Sequence, residues 1–283
     1  MGDLLGIGIS GLKAQQTALG VTGHNIANAG TEGFSRQAVS FNENTPQFIG
    51  GQWSGSGVSV NSVKRVYDEF LTDQLQRDTS NFNQLDTLSI NASQVDRLLA
   101  DSGTGVQPGL ERMFGSLQSV VDDPSSLAAR QVLISEANGL VDRFSTINDR
   151  FIAQNNIING QMKVIAEEVN ILGNSIAELN EQIQIALASS NGKQPNDLMD
   201  QRERLITDLS KLVEVNTIEQ DGSSVNVFIG RGQGLVIGNS ANELVIQSGL
   251  GDSSKMELYL NQGNALQEIN SQISGGQLGG MLE

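Results

Sequence analysis

The chain has 283 residues, enough for one large domain or two to three small ones with real cores. Its 32 acidic residues against 17 basic ones leave a formal charge of −15, which argues against nucleic acid or anionic membrane as a partner, since both need a basic face. With no Cys, one His and an excess of amides (25 Asn, 25 Gln), thiol chemistry and disulfides are excluded, and a His-based zinc site or a Ser-His-Asp mechanism is hard to build.

No apolar stretch approaches the roughly 20 residues of a bilayer helix, and Met1 to Ser10 lacks the basic and continuous apolar regions of a cleaved secretory signal. The charge is uneven. Residues 1–66 hold three acids and four bases, residues 67–212 hold 21 and 11, and residues 213–283 hold eight and two. The pattern along the chain changes at the same points, which divides it into three segments.

The first segment opens on a helix with Leu5, Leu12, Leu19 and Ile26 seven residues apart and Ile9 on the same face. A heptad of this kind marks either a helix seeking a partner helix or an ordinary amphipathic core helix. Gln16 and Gly23 thin the stripe, and glycines at 2, 6, 8, 11, 20 and 23 each lower helix stability by about 1 kcal/mol relative to Ala. Residues 30–66 read as a long irregular linker with short extended stretches, where Val58, Val60 and Phe41 alternate with polar neighbours. Trp53 at its centre is either an exposed contact residue or a core anchor.

From Tyr67 the pattern is helical: Leu71, Leu75, Phe82, Leu85, Ala92, Val95 and Leu99 keep three- and four-residue spacing. A shorter helix carries Leu110, Phe114, Leu117 and Val121, and Asp122-Asp123-Pro124-Ser125 stops it and supplies capping chemistry for the next. The longest element follows, with a near-continuous seam from Leu140, Phe144, Ile147 and Phe151 through Ile158, Met162, Ile165, Val169, Leu172, Ile176 and Leu179 to Ile183. A phase slip separates Phe151 from Ile158. At ~1.5 Å per residue the seam spans on the order of 65 Å, the length of a rod. Asn191-Gly192-Lys193-Gln194-Pro195 ends it, and Asn196 is positioned to cap a helix with Leu198, Leu205, Ile206, Leu209 and Leu212.

The period then drops to two. Val213, Val215 and Ile218 run to Asp221-Gly222, a hairpin signal, and Val225, Val227 and Ile229 return. Leu235-Val236-Ile237, Leu244-Val245-Ile246 and Met256 to Leu260 continue a β region. The run Gly279-Gly280-Met281-Leu282-Glu283 is apolar and uncapped, which reads as the N-terminal part of a longer chain. The fold class expected is mainly α with a C-terminal β part, an α+β, multi-domain chain. Residues 1–66 are the terminal coiled-coil helix and extended linker, 67–212 an elongated helical bundle with a long antiparallel-type rod helix, and 213–283 the beginning of an outer β-rich domain.

Several chemical motifs fail on context. Gly6-Ile7-Gly8-Ile9-Ser10-Gly11 matches G-x-G-x-x-G, but too few residues precede it for the strand that a dinucleotide site needs. Gly230-Arg231-Gly232-Gln233-Gly234 reads as a β-turn, and Gly192-Lys193 lacks the first Gly of a P-loop. Glu167-Glu168 and Asp122-Asp123 are adjacent in sequence, so each pair splays apart and is solvated. His24 has no acid or nucleophile near it in sequence and reads as a polar helix-end residue. No catalytic residue, metal ligand or cofactor is assigned.

Asn25-Ile26-Ala27-Asn28-Ala29-Gly30-Thr31-Glu32-Gly33-Phe34 resembles the N-I-A-N-x-x-T-x-G-[FY] motif of bacterial flagellar rod, hook and hook-associated proteins. Asn and Gly adopt the left-handed angles that end a helix, and Phe34 gives the departing chain an apolar anchor. Ser35-Arg36-Gln37, the stretch from Gly57-Val58-Ser59-Val60 to Gln74-Leu75, and Asp197-Leu198-Met199-Asp200-Gln201-Arg202-Glu203-Arg204-Leu205-Ile206 are similar to the hook-associated protein 1, or hook–filament junction, branch. Glu32 stands where many relatives have Pro.

The resemblance implies a non-enzymatic adaptor that assembles as a ring on the distal end of the hook and is required for filament assembly and motility. The hook protein lies below it and a second hook-associated junction protein above. It further implies export through the flagellar type III apparatus, with a cytoplasmic export chaperone and no cleaved signal, to an extracellular place in the flagellum, with no nucleic acid and no membrane insertion. On it, Leu5, Leu12, Leu19 and Ile26 form an intersubunit coiled coil, and Asn25, Asn28, Gly33 and Phe34 the turn beneath. A hook or distal-rod protein of the same superfamily is the alternative; the long seam and the Asp200-Gln201-Arg202 helix count against it. A rod-linked peptidoglycan hydrolase is a remote one, lacking a convergent acid pair or a nucleophile in the sequence.

Overall fold

The computed structural model describes residues 4–100, 105–190, 192–220, 222–249, 255–263 and 265–283. Asn191 and Asp221, read above as turn residues, lie outside the described residues, as do Met1 to Asp3.

The first helix, α1 (Leu4–Ala27), runs through the whole G-x-G-x-x-G stretch, so those glycines are helical and cradle nothing. Residues 30–66 are more ordered than their composition suggests. Strands β1 (Gln37–Glu43), β2 (Gln47–Ile49), β3 (Gln52–Ser54) and β4 (Val58–Arg65) form a ribbon: β1 pairs antiparallel with β4 from Gln37↔Arg65 to Glu43↔Val58, and β2 with β3 at its tip. Gly50 and Gly51 close the tip with φ of 63° and 87°, the two left-handed positions of a type I′ turn. Trp53 is exposed and stacks edge-on against Phe48 at 5.3 Å, so it is no core anchor.

Four helices follow: α2 (Glu69–Ala100), α3 (Val106–Asp122), α4 (Leu127–Ser189) and α5 (Asn196–Leu212). The cap of α4 lies one residue later than the Asp122–Ser125 reading, on Ser126, whose Oγ accepts from Ala129 N at 3.2 Å. At 63 residues α4 is on the order of 95 Å long. Its seam does not bury as one piece. From Met162 to Ile183 it forms core, with Met162, Ile165, Val169, Ile176, Leu179 and Ile183 buried, whereas Phe144 and Phe151 are exposed. The change falls at the phase slip, upstream of which α4 packs on α3 and only Ile147 of the seam is buried.

Helix α2 turns its pattern outward. Leu71, Leu75, Phe82 and Leu85 are exposed, while Gln76 and Ser80 are buried. The polar side faces inward because its partners there are polar or backbone: Gln76 Nε2 donates to Glu203 Oε1 at 2.9 Å, and glycine-rich α6 (Gly276–Leu282) lies against Gln84 and Thr87.

After α5 come β5 (Val215–Glu219), β6 (Val225–Ile229), β7 (Gln233–Ile237) and β8 (Ser240–Ala241), adjacent in that order in one antiparallel sheet. β9 (Glu243–Ser248), β10 (Met256–Gln262) and β11 (Ala265–Glu268) form a second sheet, with β10 central. Ile218 is out of phase with Val215 on β5 and is exposed.

One apolar cluster joins Met162–Ala177 of α4, Ile206–Leu212 of α5, Val215, Val227 and Leu235 of the first sheet, Leu244, Leu258 and Leu260 of the second, and Leu278 of α6. The step from 212 to 213 is therefore a change of secondary structure within a shared core. Helix α6, where the sequence showed only an uncapped apolar run, seats because of its glycines. Gly276 has φ +58°, and a Cβ there would stand 2.2 Å from Leu212 C and Val213 N. No helix among the described residues is long and apolar enough to cross a membrane.

Candidate functional site

The four heptad residues of α1 lie along its open side: Leu5, Leu12, Leu19 and Ile26 are all at least 72% exposed, and Ala14 is the helix's one buried residue. The elements α1 packs on are β1 and β4, on its other face. Ser10 Oγ pins it to the ribbon by accepting from Val58 N at 3.2 Å, and Gly57 leaves the room: a Cβ there would meet Ser10 Oγ at 2.2 Å.

The motif after α1 does its work through amides. Asn25 bonds twice to the backbone of Gln37: its Oδ1 accepts from Gln37 N and its Nδ2 donates to Gln37 O, both at 2.9 Å. Asn28 ties down the helix end, donating to His24 O at 3.0 Å and accepting from Thr31 Oγ1 at 3.3 Å. Thr31 N then bonds Asn28 O and Phe34 N bonds Thr31 O, two consecutive turns that reverse the chain. Gly33 takes φ +74° and passes close to Arg204, whose Cβ would lie 3.1 Å from a Cβ at 33. The Phe34 ring meets His24 edge-on at 5.3 Å, so its anchor is the helix-end histidine rather than the core. Thus Asn25, Asn28, Gly33 and Phe34 do converge on one turn.

That turn and the ribbon dock on the first two turns of α5. Asp200 receives both strands of the excursion: Ser35 N donates to its Oδ2 at 3.0 Å and Arg65 Nη1 to its Oδ1 at 2.9 Å. The Arg65 and Asp200 side chains are each 8% exposed, a buried ion pair. Asp197 Oδ1 accepts from Gln37 Nε2 at 2.8 Å and lies 3.3 Å from His24 Nε2 without the alignment of a hydrogen bond. Asn196 does not cap α5. Its Nδ2 donates instead to Val63 O at 3.0 Å and Gln37 Oε1 at 3.3 Å. Arg204 reaches Glu32 O at 3.4 Å, and the turn and α5 enclose a recess of about 220 Å³ between them.

The other side of α5 holds the β part. Arg202 is 2% exposed and donates to Asn180 Oδ1 at 2.9 Å and Ser223 O at 2.6 Å. Asn180, fully buried on α4, also accepts from Val225 N at 3.1 Å and donates to Val225 O and Gly238 O at 2.9 and 2.7 Å. Burial pulls the Arg202 guanidinium below its ordinary pKa and lifts the Glu203 carboxyl above its own, outweighing the opposing pull of Arg65. Tyr67, stacked under Arg65 at 4.8 Å, is raised by burial and then by the Glu203 charge.

Sequence reasoning noticed the Asp197–Arg202 run without its logic. Asp197 and Asp200, three apart, share one helix face, and Arg202 two further on points away from it. The helix is a two-sided hub: its acids grip the N-terminal piece and its arginine grips the sheet. Both carboxylates are occupied by backbone and side-chain donors, an arrangement for holding chain segments together.

The family model for the helical domain of the flagellar hook-associated protein FlgK matches residues 92–283. The chain belongs to the FlgK family. A second model, flagella basal body rod protein, matches residues 5–34, the helix and turn. The flagellar hook-associated protein 1 of Salmonella typhimurium strain LT2 is 34% identical over 284 residues, covering 100% of this chain and 51% of that protein. That of Bacillus subtilis strain 168 is 31% identical over 214 residues, covering 72% of this chain and 41% of that protein. The chain therefore spans about half the length of the relatives it matches. The solved flagellar hook junction protein FlgK of Burkholderia pseudomallei superposes with a TM-score of 0.67 at 28% identity, over 74% of this chain and 38% of that one. Mainly helical architecture with a C-terminal β part is thus the FlgK fold.

Proposed function

We propose that this chain is a structural, non-enzymatic adaptor of the bacterial flagellum that assembles at the distal end of the hook and joins hook to filament. The observation that carries this reading is the heptad stripe of α1: four large apolar residues at seven-residue spacing, all exposed, on a helix with one buried residue. An exposed apolar heptad stripe, though thinned by Gln16 and Gly23, marks an association face. The exposed stripe on α2 adds a second. Family membership supplies the context, since the FlgK helical-domain model matches residues 92–283, well beyond the N-terminal stretch matched by the rod-protein model.

On this reading Leu5, Leu12, Leu19 and Ile26 pack in an intersubunit coiled coil, with Asn25, Asn28, Gly33 and Phe34 setting the turn below it. Residues 1–66, with three acids and four bases, go to the inner tube, and the acidic residues 67–212 and the β part from 213 lie outside. The partners are further copies in a ring, the hook protein below, a second hook-associated junction protein above, and the type III export apparatus with a cytoplasmic chaperone. The place of action is extracellular, in the flagellum.

The test is Leu12→Asp with Leu19→Asp, introduced in the cell's own protein. Both positions are 72% exposed, so the purified 283-residue chain should keep its unfolding midpoint while the strain loses attached filaments and swimming. Normal swimming would overturn the reading.

A further inference from the structure

Between α1, β4 and residues 192–198, which lead into and open α5, the fold leaves a cleft of about 1020 Å³. Thr17 and Val21 form its α1 wall, Val60 and Ser62 its β4 wall, and Asn196 and Leu198 its α5 wall. Two buried polar atoms of this lining, Asn196 Oδ1 and Ser62 Oγ, have no hydrogen-bond partner among the described residues. Asn196 is 6% exposed, and its orientation is fixed: Nδ2 already donates to Val63 O and Gln37 Oε1, which leaves Oδ1 as a bare acceptor. An acceptor taken from water without a donor is costly, so it marks a place where a donor from outside fits. Lys64 and Lys193 at the rim are exposed, and neither is ion-paired among the described residues. The acid in the lining, Asp197, already accepts from Gln37 Nε2 at 2.8 Å.

We infer that this cleft is a docking site for an acidic segment of a second copy of the chain. A backbone N–H of that segment meets Asn196 Oδ1, and its carboxylates meet Lys64 and Lys193. A small anion would answer the lysines but brings no N–H for the amide oxygen, whereas a polypeptide supplies both. Asn196 already fills Val63 O, so the segment is gripped by side chains across the cleft and not as an added strand. Charge names the source. The lysine-rimmed cleft borders the near-neutral first 66 residues, while residues 67–212 carry 21 acids to 11 bases and residues 213–283 eight to two, so another copy presents the complementary surface. A ring also requires such a pairing, because its contacts are heterologous: one patch of each copy meets a different patch of the next. The inference rests on the ring assembly proposed above and assigns one of its contacts.

The cleft is complete only with α1 and β4 seated against α5, so the test is made in assembled flagella. The photo-crosslinker p-benzoylphenylalanine is placed at Asn61, an exposed residue of the cleft, in the cell's own protein, and isolated flagella are irradiated. The expected product is a dimer of this chain whose crosslinked peptide, identified by mass spectrometry, is rich in Asp and Glu. Lys64→Glu with Lys193→Glu should lower the dimer yield, per chain incorporated, by about tenfold or more. Changing the identified acids to Lys in the same chain should restore it, a rescue that proximity alone does not give. Where the reversed variant is not incorporated, recovery of attached filaments on adding those acid-to-Lys changes is the equivalent result, and its failure overturns the inference. A crosslink only to a different protein, a crosslinked peptide without acids, no crosslink in flagella that contain the chain, or a yield indifferent to charge reversal also overturns it, while the flagellar reading stands. Absence of the chain from isolated flagella overturns both.

Discussion

Asn180→Leu tests whether one side chain couples the rod helix to the sheet. The substitution keeps the number and branching of side-chain heavy atoms but removes two donated and two accepted bonds at a site with no solvent exposure. Arg202 retains Ser223 O, so the groups orphaned outright are Val225 N–H, Val225 C=O and Gly238 C=O. At about 1–2 kcal/mol for each of the three buried orphans, less about 1 kcal/mol for the apolar transfer of leucine, the loss is about 2–5 kcal/mol. Set against a total stability of roughly 5–15 kcal/mol, that is a large fraction. Urea unfolding followed by far-ultraviolet circular dichroism should show a lowered midpoint at unchanged slope. Asn174→Leu, on the same helix but exposed and bonded only to Asn170 O, is the control and should shift by less than about 0.5 kcal/mol. Equal midpoints for the two variants would refute the coupling role.

Two further outcomes follow from the same geometry. Gly276→Ala places a Cβ 2.2 Å from the backbone between α5 and β5 at a left-handed φ and should cost about 3 kcal/mol or more, read as a lower thermal midpoint, whereas Gly20→Ala, with nothing within 4 Å, should stabilise by up to about 1 kcal/mol. Burial raises the Glu203 carboxyl above its ordinary pKa, so the folded chain keeps a proton that the unfolded chain has released, and stability falls as pH rises through that window. Glu203→Gln, whose amide oxygen still accepts from Gln76, should therefore stabilise at about pH 7 and not at about pH 3; equal gains at both would contradict the assignment.

What the sequence made legible was what repeats. The core half of α4, the apolar face of α5 and the Val225–Ile229 strand carry a period that survives folding, whereas on α3 the apolar period marked the helix but Phe114, Leu117 and Val121 face outward. The ribbon of residues 37–65 was harder to read because its strands are mostly polar and, among the described side chains, only Gln37 is buried. Helix α6 was illegible for the opposite reason: four of its seven residues, Gly276, Leu278, Gly279 and Gly280, are buried, and three of those are glycines whose propensity argues against helix. Close backbone approach to α2 and α5 overrides it. On α2 the apolar period correctly marked a helix but not its inner face, since polar pairing with Glu203 and glycine contacts decided which side turned in. The docking of the turn on α5 joins residues about 165 apart through single polar atoms, and such bonds leave no period to detect. The spacing of Asp197 and Asp200 was visible; that their donors would be Ser35, Gln37 and Arg65 was not.

The paired amide of Asn25 has a consequence for solubility. Val66 N bonds Arg36 O, so the next pair along the ribbon, Gln37 with Arg65, directs its backbone groups outward. A two-stranded ribbon has two such edges, each a template on which a foreign strand can pair. Asn25 fills both outward groups of Gln37 on one edge, and Asn196 fills Val63 O on the other. These asparagines act as stoppers in the place of a third and a fourth strand. At Gln37 and Val63 the chain's own side chains thus occupy the backbone groups on which a foreign strand would pair.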